Sequence, residues 1–175
     1  MRISASEFIL FCNPPLENVR RLSSIVPEVE LMMDGDAWEH DQNGWAAQVK
    51  MLKGINVPMS AHPPAWDVNP AAPLLALREA ASFLNKKTLE FCIDMGIKQM
   101  VYLNRAKDHA YQLLDELIAL AKPAGITLAF ENIGGPAATL FNQEEFIHAL
   151  DGIDPCAQLL LDVGHANMNG WNIPE

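Results

Sequence analysis

The chain has 175 residues, half of them hydrophobic and 19% charged, with a formal net charge of −10. That is enough for one domain with a sizeable core, and too apolar for a disordered tail. An acidic chain without a lysine or arginine run repels phosphate backbones, so no nucleic-acid partner is expected, although one or two arginines suffice for a small phosphorylated substrate.

Cys12, Cys92 and Cys156 are widely spaced, odd in number and without CxxC spacing. This argues against a disulfide framework or a structural zinc site and fits a reducing compartment. The first strand is predicted over Ile3–Ile9. Its apolar run Phe8-Ile9-Leu10-Phe11 follows Glu7 and ends at Asn13-Pro14-Pro15, too short for a signal core or a membrane span. A cytoplasmic protein with no membrane partner is expected.

Further strands are predicted over Val29–Asp34 and Val57–His62. The long segment Leu74–Met95 carries Leu77, Ala81, Leu84, Thr88 and Cys92 at helical spacing. Strand four follows over Gln99–Asn104, then a helix over Asp108–Lys122 on Leu113, Leu117 and Leu120. Strand five covers Ile126–Asn132, Asn142 caps a helix holding Glu144, Phe146, Ile147 and Leu150, and strand six covers Gln158–Asp162. Gly54, Gly96 and Gly125 each stand where a helix-terminating glycine belongs.

Strand–helix alternation implies a parallel α/β sheet with right-handed crossovers, in one domain over residues 1–175. No GxGxxG follows the first strand, which counts against a dinucleotide-binding sheet. Asp34, His62, Asn104, Glu131 and Asp162 end successive strands. A ring of polar strand ends is what a (β/α)8 TIM barrel presents. Such barrels run to about 250 residues, so the expectation is a barrel truncated to about six βα units, with strands seven and eight missing. A barrel short of two strands cannot close, and its open edges would need a partner or a second copy.

Two stretches carry the chemistry. Leu159-Leu160-Leu161-Asp162-Val163-Gly164-His165 runs an apolar strand into a carboxylate, a glycine turn and an imidazole. Leu128-Ala129-Phe130-Glu131-Asn132, followed by Gly134-Gly135-Pro136, ends another strand in a glutamate. Singly, Glu131 reads equally as a turn-capping acid, and Asp162 with His165 as a helix cap. Together they read as one polar site at the carboxyl rim of a parallel sheet. His62 before Pro63-Pro64 is a substrate contact or a loop-packing residue. Trp66 and Trp171 follow strand ends, where aromatics wall a ligand pocket or cover core. Glu30 and Asp34 read as supporting residues, and His40, His109 and His148 as surface residues without partners.

These pieces, with Val29-Glu30-Leu31, Ser60-Ala61-His62-Pro63-Pro64 and Asp67-Val68-Asn69, resemble the xylose isomerase-like TIM-barrel superfamily, the sugar phosphate isomerase/epimerase group related to endonuclease IV. The resemblance implies that Glu131 and Asp162 bind a divalent metal, with Glu131 also the catalytic base. Oxygen ligands suit Mn²⁺ or Mg²⁺, and an added imidazole extends the choice to Co²⁺ or Zn²⁺. It implies that His165 bonds a sugar oxygen, with His62 and Trp66 also on the substrate side. A strand-seven histidine and a strand-eight glutamate of the family pattern have no counterpart in the chain. Endonuclease IV has a metal-binding histidine where this chain has Tyr102-Leu103-Asn104, which argues against phosphodiester chemistry. The expected activity is metal-dependent isomerisation or epimerisation of a sugar or sugar phosphate, through an enediolate. The alternatives are an inactive fragment serving as an interaction scaffold, and a hydrolase or lyase on the same barrel.

Overall fold

The computed structural model describes residues 4–7, 13–38, 44–65, 72, 74–103, 107–134 and 141–173; for 44, 103 and 107–110 only the backbone is described. Six strands lie side by side in sequence order, every neighbouring pair parallel: β1 (Ser4–Ser6), β2 (Glu28–Met32), β3 (Met59–His62), β4 (Gln99–Leu103), β5 (Thr127–Glu131) and β6 (Ala157–Leu160). Parallel neighbours need long crossovers. Here these carry α1 (Pro15–Leu22), α2 (Gly44–Leu52), α3 (Leu75–Met95), α4 (Lys107–Ala124) and α5 (Gln143–Ile147), while α6 (Val163–Met168) follows β6. Consecutive parallel strands in unbroken order are the arrangement of a TIM barrel, here opened between β1 and β6, which do not pair among the described residues.

Strand alternation sorts the side chains. Register pairs Tyr102 with Phe130 and Phe130 with Leu159, so these face the helices. Tyr102 and Phe130 are fully buried with ring centroids 5.9 Å apart, and Phe141 and Phe146 pack on Phe130. The opposite face carries Glu30, His62 and Glu131, set by the pairs Glu30↔Ser60, Met32↔His62 and Glu131↔Leu160.

Several boundaries differ from the expectation. β1 ends at Ser6, and Glu7 turns inward, buried, to accept a 2.9 Å hydrogen bond from Asn18 Nδ2. β2 stops at Met32 because the chain bends at Gly35 (φ 85°); Asp34 instead accepts from the Ala65 amide at 2.8 Å, tying two rim loops together. β6 stops at Leu160 because Asp162 caps α6. In α3, Ala81, Thr88 and Cys92 are buried but Leu77 is half exposed, since a 21-residue helix overhangs a five-residue strand. In α4, Ala121 and not Leu120 continues the buried face of Leu113 and Leu117. Gly96 and Gly125 terminate helices at φ 75° and 64°, whereas Gly54 keeps ordinary backbone. Asn142 caps α5 in a reciprocal box with Glu145. On β6 and just after it, Leu159, Leu161, Val163 and Met168 are all at least 40% exposed. Among the described residues no helix is long and apolar enough to cross a membrane.

Candidate metal centre

The site is built where the β5–β6 ladder runs out. The last backbone bond, Asn132 N to Leu160 O, is long at 3.4 Å. Two residues past Leu160, the Asn132 side chain takes over as a surrogate peptide. Its Oδ1 accepts from Asp162 N at 2.7 Å and its Nδ2 donates to Asp162 O at 3.0 Å. Asp162 Oδ1 in turn accepts from His165 N at 2.7 Å and starts α6. The Asn132 carbonyl lies 2.8 Å from His165 Nδ1. A carbonyl only accepts, so Nδ1 carries the proton and the ring's lone pair sits on Nε2. Gly134 makes room for this ring: a Cβ there would stand 2.6 Å from His165 Cδ2 and 3.1 Å from its Cα.

Glu131, at the end of β5, is buried and faces the same space. Its Oε1 is 3.7 Å from His165 Nδ1, and Asp162 Oδ2 is 3.8 Å from the same nitrogen. Glu131, Asp162 and His165 offer ligand atoms all within 4.8 Å of one another. Oxygen ligands sit roughly 2.0–2.6 Å from Mg²⁺ or Ca²⁺, so atoms sharing one ion lie within about twice that range. The two carboxylates, with the His165 imidazole beside them, could therefore hold a single divalent cation.

His62 closes the other side. Its Nδ1 donates to Pro63 O at 2.7 Å and its Nε2 lies 3.5 Å from Glu131 Oε2. Burial works against charge on this imidazole, yet the Glu131 carboxylate, the Pro63 carbonyl and Glu30 together hold its pKa above the usual histidine range. Glu30 is pushed up by burial, partly countered by His62 and by a hydrogen bond from Ser6. These groups line a cavity of about 380 Å³ at the carboxyl rim. A larger recess of about 580 Å³ lies at the opposite rim, between the starts of β1 to β4, away from these carboxylates.

The structure thus brings Glu131, Asp162, His165 and His62 together. Trp66 and Asn104 lie outside the described residues, as do His40 and the side chain of His109. Trp171 packs on Phe146 at 5.4 Å and covers the core. His148 is exposed but pairs with Asp151 at 2.9 Å, so the expectation of no partner is corrected. The sequence reading did not single out Asn132 as a clamp or Ser6 as a cavity wall, and it took Glu30, which also lines the cavity, as a supporting residue. Alternation along β2 carried a signal for Glu30, a charged residue between buried Val29 and Leu31.

The chain's fold is similar to that of a D-tagatose 3-epimerase-like protein, with a TM-score of 0.77 and 17% identity over 95% of this chain and 67% of the other. It is also similar to the IOLI protein with a bound zinc atom, with a TM-score of 0.75 and 18% identity over 98% and 66%. A D-psicose 3-epimerase solved in the presence of D-fructose gives a TM-score of 0.73 and 14% identity over 96% and 65%. The chain therefore spans about two thirds of the length of these structures. No curated protein matches the sequence. The model of the xylose isomerase-like TIM-barrel family matches residues 27–175. By that match and its parallel β/α order, the chain belongs to the xylose isomerase-like TIM-barrel family.

Proposed function

We propose that this chain provides the catalytic rim of a divalent-metal-dependent sugar isomerase or epimerase, as six βα units of a longer barrel. The observation that carries the reading is the convergence of Glu131, Asp162 and His165 within 4.8 Å at the carboxyl ends of adjacent strands. The sugar epimerases among the similar structures support it at the level of fold.

Glu131 and Asp162 would hold the ion. When bound, a divalent cation there supplies Lewis-acid stabilisation of negative charge developing on a sugar's carbonyl and hydroxyl oxygens. Glu131 takes the proton from the carbon beside the carbonyl. His62, facing Glu131 from β3, stabilises its carboxylate form and orients it. His165 keeps Nδ1 on the Asn132 carbonyl, which leaves Nε2 to meet a sugar oxygen. Mn²⁺, Mg²⁺, Co²⁺ and Zn²⁺ all suit a site of carboxylates next to an imidazole.

Asp162→Asn separates ligand from cap: asparagine still caps α6, but the charge is gone. In the full-length protein we expect calorimetric Mn²⁺ affinity to fall at least about tenfold while the fold is kept. Unchanged affinity would remove Asp162 from the ligand set. A second reading, an assembly module, is favoured only by the exposed apolar edge at β6.

A further inference from the structure

We infer that two copies of this chain pair through the outer face of α3, in an antiparallel two-fold contact centred on Phe83. α3 buries Ala81, Asn85, Thr88, Leu89 and Cys92. At 3.6 residues per turn, the opposite stripe carries Ala76, Glu79, Ala80, Phe83, Lys86 and Lys87. Phe83 stands in the middle of that stripe, 47% exposed. The Lys87 ammonium lies 5.9 Å from its ring centroid, and Lys87 also pairs with Glu90. The sheet is open between β1 and β6. In an eight-strand ring that gap lies across the barrel from β3 and β4, the two strands that α3 connects. Closing the barrel therefore does not cover Phe83.

The stripe is self-complementary in charge, which favours a second copy as its occupant. One turn before Phe83 stand an acid and a small residue, Glu79 and Ala80. One turn after it stand two cations, Lys86 and Lys87. A two-fold axis beside Phe83 runs the helices antiparallel and sets the turn before Phe83 level with the turn after it in the other copy. Glu79 then faces the partner's Lys86, and Ala80 leaves room for the stem of the partner's Lys87. The two Phe83 rings meet at the centre. A parallel pairing would instead set acid against acid and ammonium against ammonium. Lys86 lies 2.7 Å from Glu116 on α4, and its remaining ammonium protons are free to meet a second carboxylate. Aromatic anchors at the centre of a contact, with polar pairs around them, carry most of the binding energy of an interface. One helix pair buries less than a standard interface of roughly 1,600 Å², so the dimer is weak, with a Kd in about the micromolar range.

Sedimentation equilibrium of the full-length protein tests this. The parent is expected to show a concentration-dependent monomer–dimer equilibrium, and Phe83→Glu to weaken it at least about tenfold. Phe83→Ala serves as a second variant if Phe83→Glu does not fold, which circular dichroism checks. Glu79→Lys and Lys86→Glu are each expected to weaken it about tenfold. An equimolar mixture of those two proteins restores both charge pairs across the axis, and is expected to associate as the parent does. A parent that stays monomeric well above micromolar concentration would overturn the inference. So would association unmoved by both Phe83 variants, or a mixture that associates no better than its components.

Discussion

Asn132 and Asp162 are joined as if by two rungs of a sheet, both of them made by the Asn132 side chain posing as a peptide. The pair converts the end of a β-ladder into a fixed platform. Asp162 then holds His165 through its backbone, while the Asn132 carbonyl holds the ring. One buried asparagine therefore sets the position of two groups that would touch metal and substrate.

Replacing Asn132 with alanine leaves the Asp162 N–H and C=O without these partners. We predict a loss of about 1–3 kcal/mol in stability and a fall of about 10–100-fold in metal affinity or turnover. Denaturant titration and calorimetry measure the two effects. A stable variant with full metal affinity would show that Asp162 needs no such support.

How much of this was legible beforehand depends on the kind of residue. Glu131 and Asp162 could be found because each follows an apolar run, and His165 because it stands three residues after Asp162; each has a structural reading by itself, and only together do they read as one polar site. The strand order was legible because helical and strand periodicities alternate cleanly. Asn132 was visible only as part of a motif. Its role depends on where the β5–β6 ladder runs out, and register is a tertiary property. The expected strand Ile3–Ile9 ran past Ser6 for a related reason: Asn18 on α1, a tertiary neighbour, holds Glu7 in the interior. Trp171 follows a strand end as a pocket wall would, yet Phe146 offered it a better packing surface.

Glu7 gives a pH-dependent prediction. Burial raises its folded-state pKa above the ordinary value of 4.5. Its contribution to stability is therefore full below the unfolded pKa and declines as pH rises through the folded one. Glu7→Gln removes this titration and can still accept from Asn18. We predict that the variant's gain over the parent in thermal midpoint is larger at pH 8 than at pH 5. An equal difference at the two pH values would mean that Glu7 does not titrate in this window.

The open edge gives another. Leu159, Leu161, Val163 and Met168 are exposed at or near the outer edge of β6, which pairs with no further strand among the described residues, and such an edge templates pairing with another chain. Residues Met1–Glu175 expressed alone should self-associate, bind Mn²⁺ weakly and show no isomerase turnover. Leu159→Lys should reduce the association in light scattering. A dilute, stable monomer with tight stoichiometric metal would show that these six units suffice by themselves.

The central claim is that Glu131 moves a proton next to a sugar carbonyl with a divalent ion's help. Solvent deuterium incorporation into a ketose, in D₂O with the Mn²⁺-loaded full-length protein, measures this most directly. We predict exchange at the carbon beside the carbonyl in the parent, its loss on chelation, and a fall of at least about a hundredfold in Glu131→Gln. Exchange that survives in Glu131→Gln at the parent's rate would assign the base elsewhere and contradict the claim.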